Sequence, residues 1–133
     1  MIFGIGIDLI DVDRIEKEIH RHGVSFLNRI FTDGEIRYCN RSSSKRVRSQ
    51  CFSSRFAAKE AFLKAAGTGL RNGLGWKDIE VSNNELGKPC LILKNMAEKI
   101  IKKNSIERVH LSITHINESA AAVVILEKRS GEK

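Results

Sequence analysis

The chain has 133 residues, enough for one domain with a single hydrophobic core and short for two. Apolar residues make up 41% and charged residues 29%, a globular balance, but 23 Lys and Arg against 16 Asp and Glu leave a net charge of +7. No apolar run approaches the ~18 residues of a bilayer span, the opening MIFGIGIDLI lacks a basic leader, and Cys39, Cys51 and Cys90 have no metal-ligand spacing, which disfavours a membrane protein, a secreted disulfide scaffold, a zinc finger and a disordered chain.

The three cysteines are expected as free thiols in a reducing, cytoplasmic compartment. Residues 2–8 (IFGIGID) read as a buried strand ending at Asp8. Asp13 and Glu16 have capping-box spacing, so a helix is expected from Asp13, with Val12, Ile15 and Ile19 as its apolar stripe and Gly23 as its stop. Arg14, Lys17 and Arg21 lie opposite that stripe; such a basic face either docks an acidic helix or is simply solvated. Thr32 with Glu35 is a second capping box, for a short helix to about Asn40. A longer helix is expected from about Ser49 to Ala66, closed by the GTG turn at 67–69. After a Gly-rich connection (70–77), IEVS (79–82) and CLIL (90–93) read as a hairpin, and Asn95 with Glu98 caps a helix to about Lys103. RVHLSIT (108–114) and AAAVVILE (120–127) are the last strands, before a polar tail at 128–133. The order predicts one α+β domain over 1–127, a mainly antiparallel sheet with helices packed on one face.

Positive charge is concentrated. No acidic residue occurs between Glu35 and Glu60, a stretch that holds Arg37, Arg41, Lys45, Arg46, Arg48, Arg55 and Lys59. These seven equal the whole net excess, and the rest balances at 16 against 16. A focused field of this kind attracts polyanions, whether nucleic acid, phosphorylated ligands or an acidic partner. The plainer alternative is a solvated loop at RSSSKRVR (41–48).

Three constellations carry possible chemistry. Asp8 ends an apolar strand and Glu60 sits on an apolar helix, where a carboxylate needs a partner or a metal. Two such carboxylates suit Mg²⁺, which keeps its other positions for water and phosphate oxygens; the competing reading pairs Glu60 with Lys64 and makes Asp8 a cap. Glu60, Lys64 and Gly67 share one helix side, which aims Lys64 at a glycine turn able to approach a phosphate closely. In HLSITH, alternation puts His110, Ser112 and Thr114 on one strand face, with His115 at the strand end, free to face a site. Each histidine also has a purely structural reading.

Taken together, GIGIDLIDVDRIE (4–16), RFAAKEAFLKAAGTGLRNG (55–73), the W-x-D-I-E-V segment (76–81), ELGKP (85–89) and HLSITH followed by AAAVVILE resemble the holo-acyl-carrier-protein synthase family of 4'-phosphopantetheinyl transferases over nearly the whole chain. The resemblance implies transfer of the phosphopantetheine arm of coenzyme A to a serine of apo-acyl carrier protein, releasing adenosine 3',5'-bisphosphate, in support of fatty acid biosynthesis. It implies a homotrimer with active sites shared between subunits. It makes Asp8 and Glu60 the ligands of Mg²⁺, or of Mn²⁺ in its place, and sets Lys64 on the coenzyme phosphates. It assigns Gly67, Thr68, Gly69 and His115 to the nucleotide, Arg46, Arg48 and Arg55 to its extra phosphate, and Arg14, Lys17 and Arg21 to the carrier protein. The serine proton goes to Glu60, to a metal-bound water or to His110; the residues leave that choice open.

A different class, a small basic RNA-binding α+β domain, fits size and charge. One Trp, one Tyr and no strand that pairs aromatics with basic residues argue against it. No nucleic acid and no membrane are therefore expected as partners.

Overall fold

The computed structural model describes residues 1–71 and 73–130. The chain runs through β1 (Ile2–Asp11), α1 (Val12–Ile30), α2 (Asp33–Cys39), α3 (Lys45–Ala66), a 3-10 turn (Trp76–Asp78), β2 (Ile79–Asn83), β3 (Pro89–Leu93), α4 (Asn95–Lys103), β4 (Ile106–His115) and β5 (Ser119–Lys128). The α+β class and the antiparallel pairing are as expected. The strands form two sheets: β5 lies between β1 and β4 in one, and β2 and β3 make a separate ribbon.

Strand alternation decides what each face of β1 does. Gly4, Gly6, Asp8 and Ile10 point toward α3. An ideal Cβ on Gly4 would stand 2.0 Å from the Ala65 carbonyl oxygen, and one on Gly6 only 1.9 Å from that of Ala61. Hydrogen alone fits there, so helix and strand approach backbone to backbone. Phe31, Phe52, Phe62, Val124 and Leu126 fill the core around this contact, and the Phe31 and Phe52 ring centroids lie 4.9 Å apart. The other face of β1 departs from the expected buried strand: Ile5, Ile7 and Leu9 are 60%, 65% and 72% exposed. They continue across the sheet through Val123 and Ile125 as an apolar outer surface.

Further corrections have local causes. The cap of α1 is Asp11, whose side chain accepts from the Asp13 amide, in place of Asp13 itself. Gly23, at φ 52° and ψ −129°, stops the first helical run of α1 as expected, and a second run that returns Phe26, Leu27 and Ile30 to the core follows it directly. Ser44 caps α3, which begins at Lys45, four residues before the expected onset. Asn95 takes a left-handed φ of 51° and bonds Asp78 at 3.1 Å, so it is not a cap for α4, which has no side-chain cap. Cys39 and Cys51 are joined as a disulfide between α2 and α3, against the expectation of free thiols; Cys90 is free and exposed. Lys128 still belongs to β5 and its amide bonds the Met1 carbonyl, so the expected tail begins later; its last three residues, 131–133, lie outside the described residues, as does Asn72 in the Gly-rich connection.

Replacing Gly6 by Ala forces α3 away from β1. We expect a loss of about 2–3 kcal/mol in urea denaturation; an unchanged midpoint would show that the contact yields without cost.

Candidate active site

The approach of α3 to β1 brings Asp8 and the middle of α3 together. Lys64 Nζ donates to Asp8 Oδ1 at 3.1 Å and to the Ile7 carbonyl at 3.0 Å. Lys64 therefore directs its ammonium across to the strand, and the competing Glu60–Lys64 helix pair does not form among the described residues. Glu60, Lys64, Gly67 and Gly69 line one cavity, with Trp76 as its far wall. Gly67 closes α3 in the left-handed conformation, φ 77°, with its amide on the Leu63 carbonyl. The Glu60 carboxyl is held above its ordinary range, first by burial and next by the like charge of Asp8, while Lys64 and Arg14 pull it down. Two carboxylates close enough to repel, beside one half-exposed ammonium, make a hard-oxygen donor pair suited to a divalent cation.

A second cavity lies between α2, the start of α3, the β2–β3 ribbon and the end of β4. Tyr38, Arg41, Arg55, Asn83, Pro89 and His115 line it. Arg55 is 5% exposed. Its guanidinium lies 4.3 Å from the Tyr38 ring centroid, and Arg41 lies over the same ring at 3.9 Å. Arg55 Nη2 donates to Asn83 Oδ1 at 2.8 Å, but its Nε finds no acceptor among the described residues. Burial, with Arg41 adding to it, pushes the Arg55 guanidinium below its usual range, while Glu35 pulls it up. Two guanidiniums side by side on one cavity wall give it the positive field that suits an anion. The two cavities share no lining residue.

The family model of the 4'-phosphopantetheinyl transferase superfamily matches residues 4–124. The chain belongs to the 4'-phosphopantetheinyl transferase superfamily. A holo-(acyl-carrier-protein) synthase of Solibacter usitatus is 47% identical over 127 residues, 96% of this chain and 99% of that one. Another, of Geotalea daltonii, is 41% identical over 128 residues, 96% of this chain and 100% of that one. Among crystal structures, the Bacillus anthracis holo-(acyl-carrier-protein) synthase in complex with CoA (3',5'-ADP) is 40% identical, with a TM-score of 0.79 over 97% of this chain and 99% of that one. The Neisseria meningitidis synthase is 32% identical, with a TM-score of 0.83 over 96% of this chain and 100% of that one. The RNA-binding alternative has no support beside these.

In this transferase the expected residues separate into groups. Asp8, Glu60, Lys64, Gly67 and Gly69 gather at the first cavity, and Arg55 and His115 at the second. Arg14 is near enough to Glu60 to lower its carboxyl, while Lys17 and Arg21 continue the exposed basic face of α1. Others stand elsewhere. His110 bonds Glu127 at 3.0 Å on the outer sheet face and lines neither cavity, so this chain does not bring it to Glu60. Arg46 is engaged by Asp13 and Glu16, at 2.6 Å each, and by the Asn117 carbonyl. Arg48 bonds the Ser42 carbonyl at 3.0 Å, and Thr68 lines a groove with Phe3 and Arg71 on the other side of the GTG turn. Lys59, counted among the seven focused charges, is fully buried against Glu35. The positive field is correspondingly narrower than composition implies. Sequence reasoning missed Tyr38 and Trp76; the i, i+3 spacing of Tyr38 and Arg41 was the available signal for the first.

Because the Glu60 carboxyl is raised on folding, its ionisation opposes folding as pH climbs from its ordinary 4.5 through its elevated range. In the absence of divalent ions, Glu60→Gln is expected to melt at or above wild type, with a difference that grows with pH across that window and is then constant. Thermal melts at several pH values check this, and a variant that melts lower at neutral pH would contradict it.

Proposed function

We propose that the chain transfers the 4'-phosphopantetheine of coenzyme A to a serine hydroxyl of apo-acyl carrier protein, in support of fatty acid biosynthesis. The observation that carries this reading is the convergence of Asp8, Glu60 and Lys64 beside a glycine turn, in a member of this superfamily. In the reaction the serine oxygen forms a bond to the β-phosphorus, the bond from that phosphorus to the oxygen bridging the two phosphates breaks, and adenosine 3',5'-bisphosphate leaves. Asp8 and Glu60 offer two hard oxygens, which leaves most positions of an octahedral ion for water and phosphate oxygens; they fit Mg²⁺ and, by the same chemistry, Mn²⁺. The ion, when bound, neutralises charge on the phosphoryl oxygens. Lys64 adds a point charge on the same oxygens, and the Gly67–Gly69 backbone lets a phosphate come close. Glu60 Oε is the base that this arrangement offers for the serine proton. Arg14 stands beside this centre, and with Lys17 and Arg21 it offers a basic helix face to an acidic carrier protein.

The second cavity supplies what the first lacks. Arg55, Arg41 and His115 form a phosphate and nucleotide site, yet they line a different cavity from Glu60. A site assembled between copies, with Arg55 and His115 of one facing Glu60 and Lys64 of the next, reconciles the two. The exposed Ile5, Ile7 and Leu9 give the sheet an apolar face of the kind that subunits cover. The homotrimer is the assembly the family resemblance implies. No helix among the described residues is long and apolar enough to cross a membrane, and a reaction that draws on coenzyme A is expected in the cytoplasm.

Incubating the protein with coenzyme A, Mg²⁺ and apo-acyl carrier protein should add one phosphopantetheine to the carrier by mass spectrometry. Asp8→Asn and Glu60→Gln should lower turnover by on the order of a hundredfold or more while remaining folded; no mass gain with any carrier protein would reject the reading. Co-expression of two inactive variants, Glu60→Gln and Arg55→Ala, should restore part of the activity in mixed oligomers. Mixed oligomers as inactive as either parent would place both halves of the site in one chain.

A further inference from the structure

Lys59 is fully buried and adjoins the Glu60 side of α3 only in sequence: in space it points the other way, into the layer formed by α2, the 3-10 turn and β2. Its ammonium pairs with Glu35 Oε1 at 2.9 Å and donates to the carbonyls of Trp76, at 3.1 Å, and Ile79. All three donors are thus spent. Glu35, 1% exposed, is equally committed: Oε1 also accepts from the Thr32 amide at 2.9 Å, and Oε2 from the Val81 amide at 2.7 Å. Thr32 in turn donates to Glu80, which pairs with Lys94 at 2.7 Å.

A buried ion pair of this kind is a poor source of stability, because removing two charges from water offsets most of their attraction; a matched pair of apolar side chains often does as well. Its geometry is the more informative property. Successive residues on a helix project about 100° apart, so fixing Lys59 in the α2–β2 layer fixes the rotation of α3 at which Glu60 and Lys64 meet Asp8. The Trp76 carbonyl that Lys59 holds belongs to the residue whose ring stacks on Phe56, centroids 5.1 Å apart, and walls the Glu60 cavity. One ammonium therefore bonds to the turn that carries Trp76 and sits on the helix that presents the carboxylate, two elements lining the same cavity.

We propose that Lys59, locked by Glu35, is a positioning residue for the transfer reaction: it touches no substrate and holds Glu60 and Trp76 in register. This rests on the transferase reading. The test compares the wild-type chain with Glu35→Gln/Lys59→Met, which removes both charges together, and with Glu35→Asp, which keeps both and shortens the link by one methylene. Each folded variant, checked by circular dichroism and elution volume, is assayed for kcat, for KM toward carrier protein and for the Mg²⁺ concentration at half-activation. We expect the double variant to lose about tenfold or more in kcat and to need more Mg²⁺, with KM for carrier protein unchanged, and Glu35→Asp to show a smaller loss of the same kind. Wild-type kcat and Mg²⁺ requirement in either folded variant would overturn the positioning role. An inactive wild-type chain removes the transferase reading and this role with it, whereas an active wild type beside unaltered variants removes this role alone.

Discussion

Backbone contact between α3 and β1 is the constraint on which the active site depends. At Gly4 and Gly6 the strand has no side chain to hold the helix off, and Ala61 and Ala65 offer the helix's own backbone in return. Every feature of the first cavity follows from that closeness. Asp8, two residues on from Gly6 on the same face, meets Lys64 one turn along from Glu60. A helix at ordinary packing distance, about 8–10 Å from its neighbour, would leave Lys64 short of the Ile7 carbonyl and Glu60 outside the influence of Asp8.

Charge is managed differently on the two sides of α3. Toward α2 and β2, Lys59 and Glu35 cancel each other in the dry interior with every donor and acceptor filled. Toward β1, Glu60 and Asp8 have Lys64 beside them and Arg14 near Glu60, and the Glu60 carboxyl is still raised, first by burial. Midway along the helix Arg55 is buried, with a second guanidinium nearby on the same tyrosine ring. Satisfied charge supports the fold, and unsatisfied charge, negative in one cavity and positive in the other, awaits ligands. The net charge of the chain conveys none of this, since Arg46 and Lys59 are neutralised internally.

Much of the site was legible in the sequence because the signals were local. Thr32 and Glu35 form the capping box their spacing announced, both oxygens and amides in place. Glu60, Lys64 and Gly67 share a helix side because the period of 3.6 requires it, and His115 faces a cavity as its place at the strand end allowed. What escaped is decided by distant contacts. Gly23 does stop one helical run, but nothing local announces that a second, carrying Phe26, Leu27 and Ile30 into the core, begins at once. Glu35 reads as a cap and is also the partner of a lysine 24 positions away. Nothing about Cys39 and Cys51 singly reveals that α2 and α3 bring them together. The apolar residues of β1 predict burial without saying which face the chain itself buries.

That two-faced strand also governs where the molecule can change in length. Inserting or deleting one residue between Gly4 and Asp8 would exchange the faces, turning isoleucines onto the helix and the carboxylate outward. The turn between β2 and β3, where Leu86 is 94% exposed and the backbone closes on itself through Asn84 and Gly87, is under no such restriction. Diversification by size is therefore channelled into the ribbon's tip, while the opening strand can vary only by substitution.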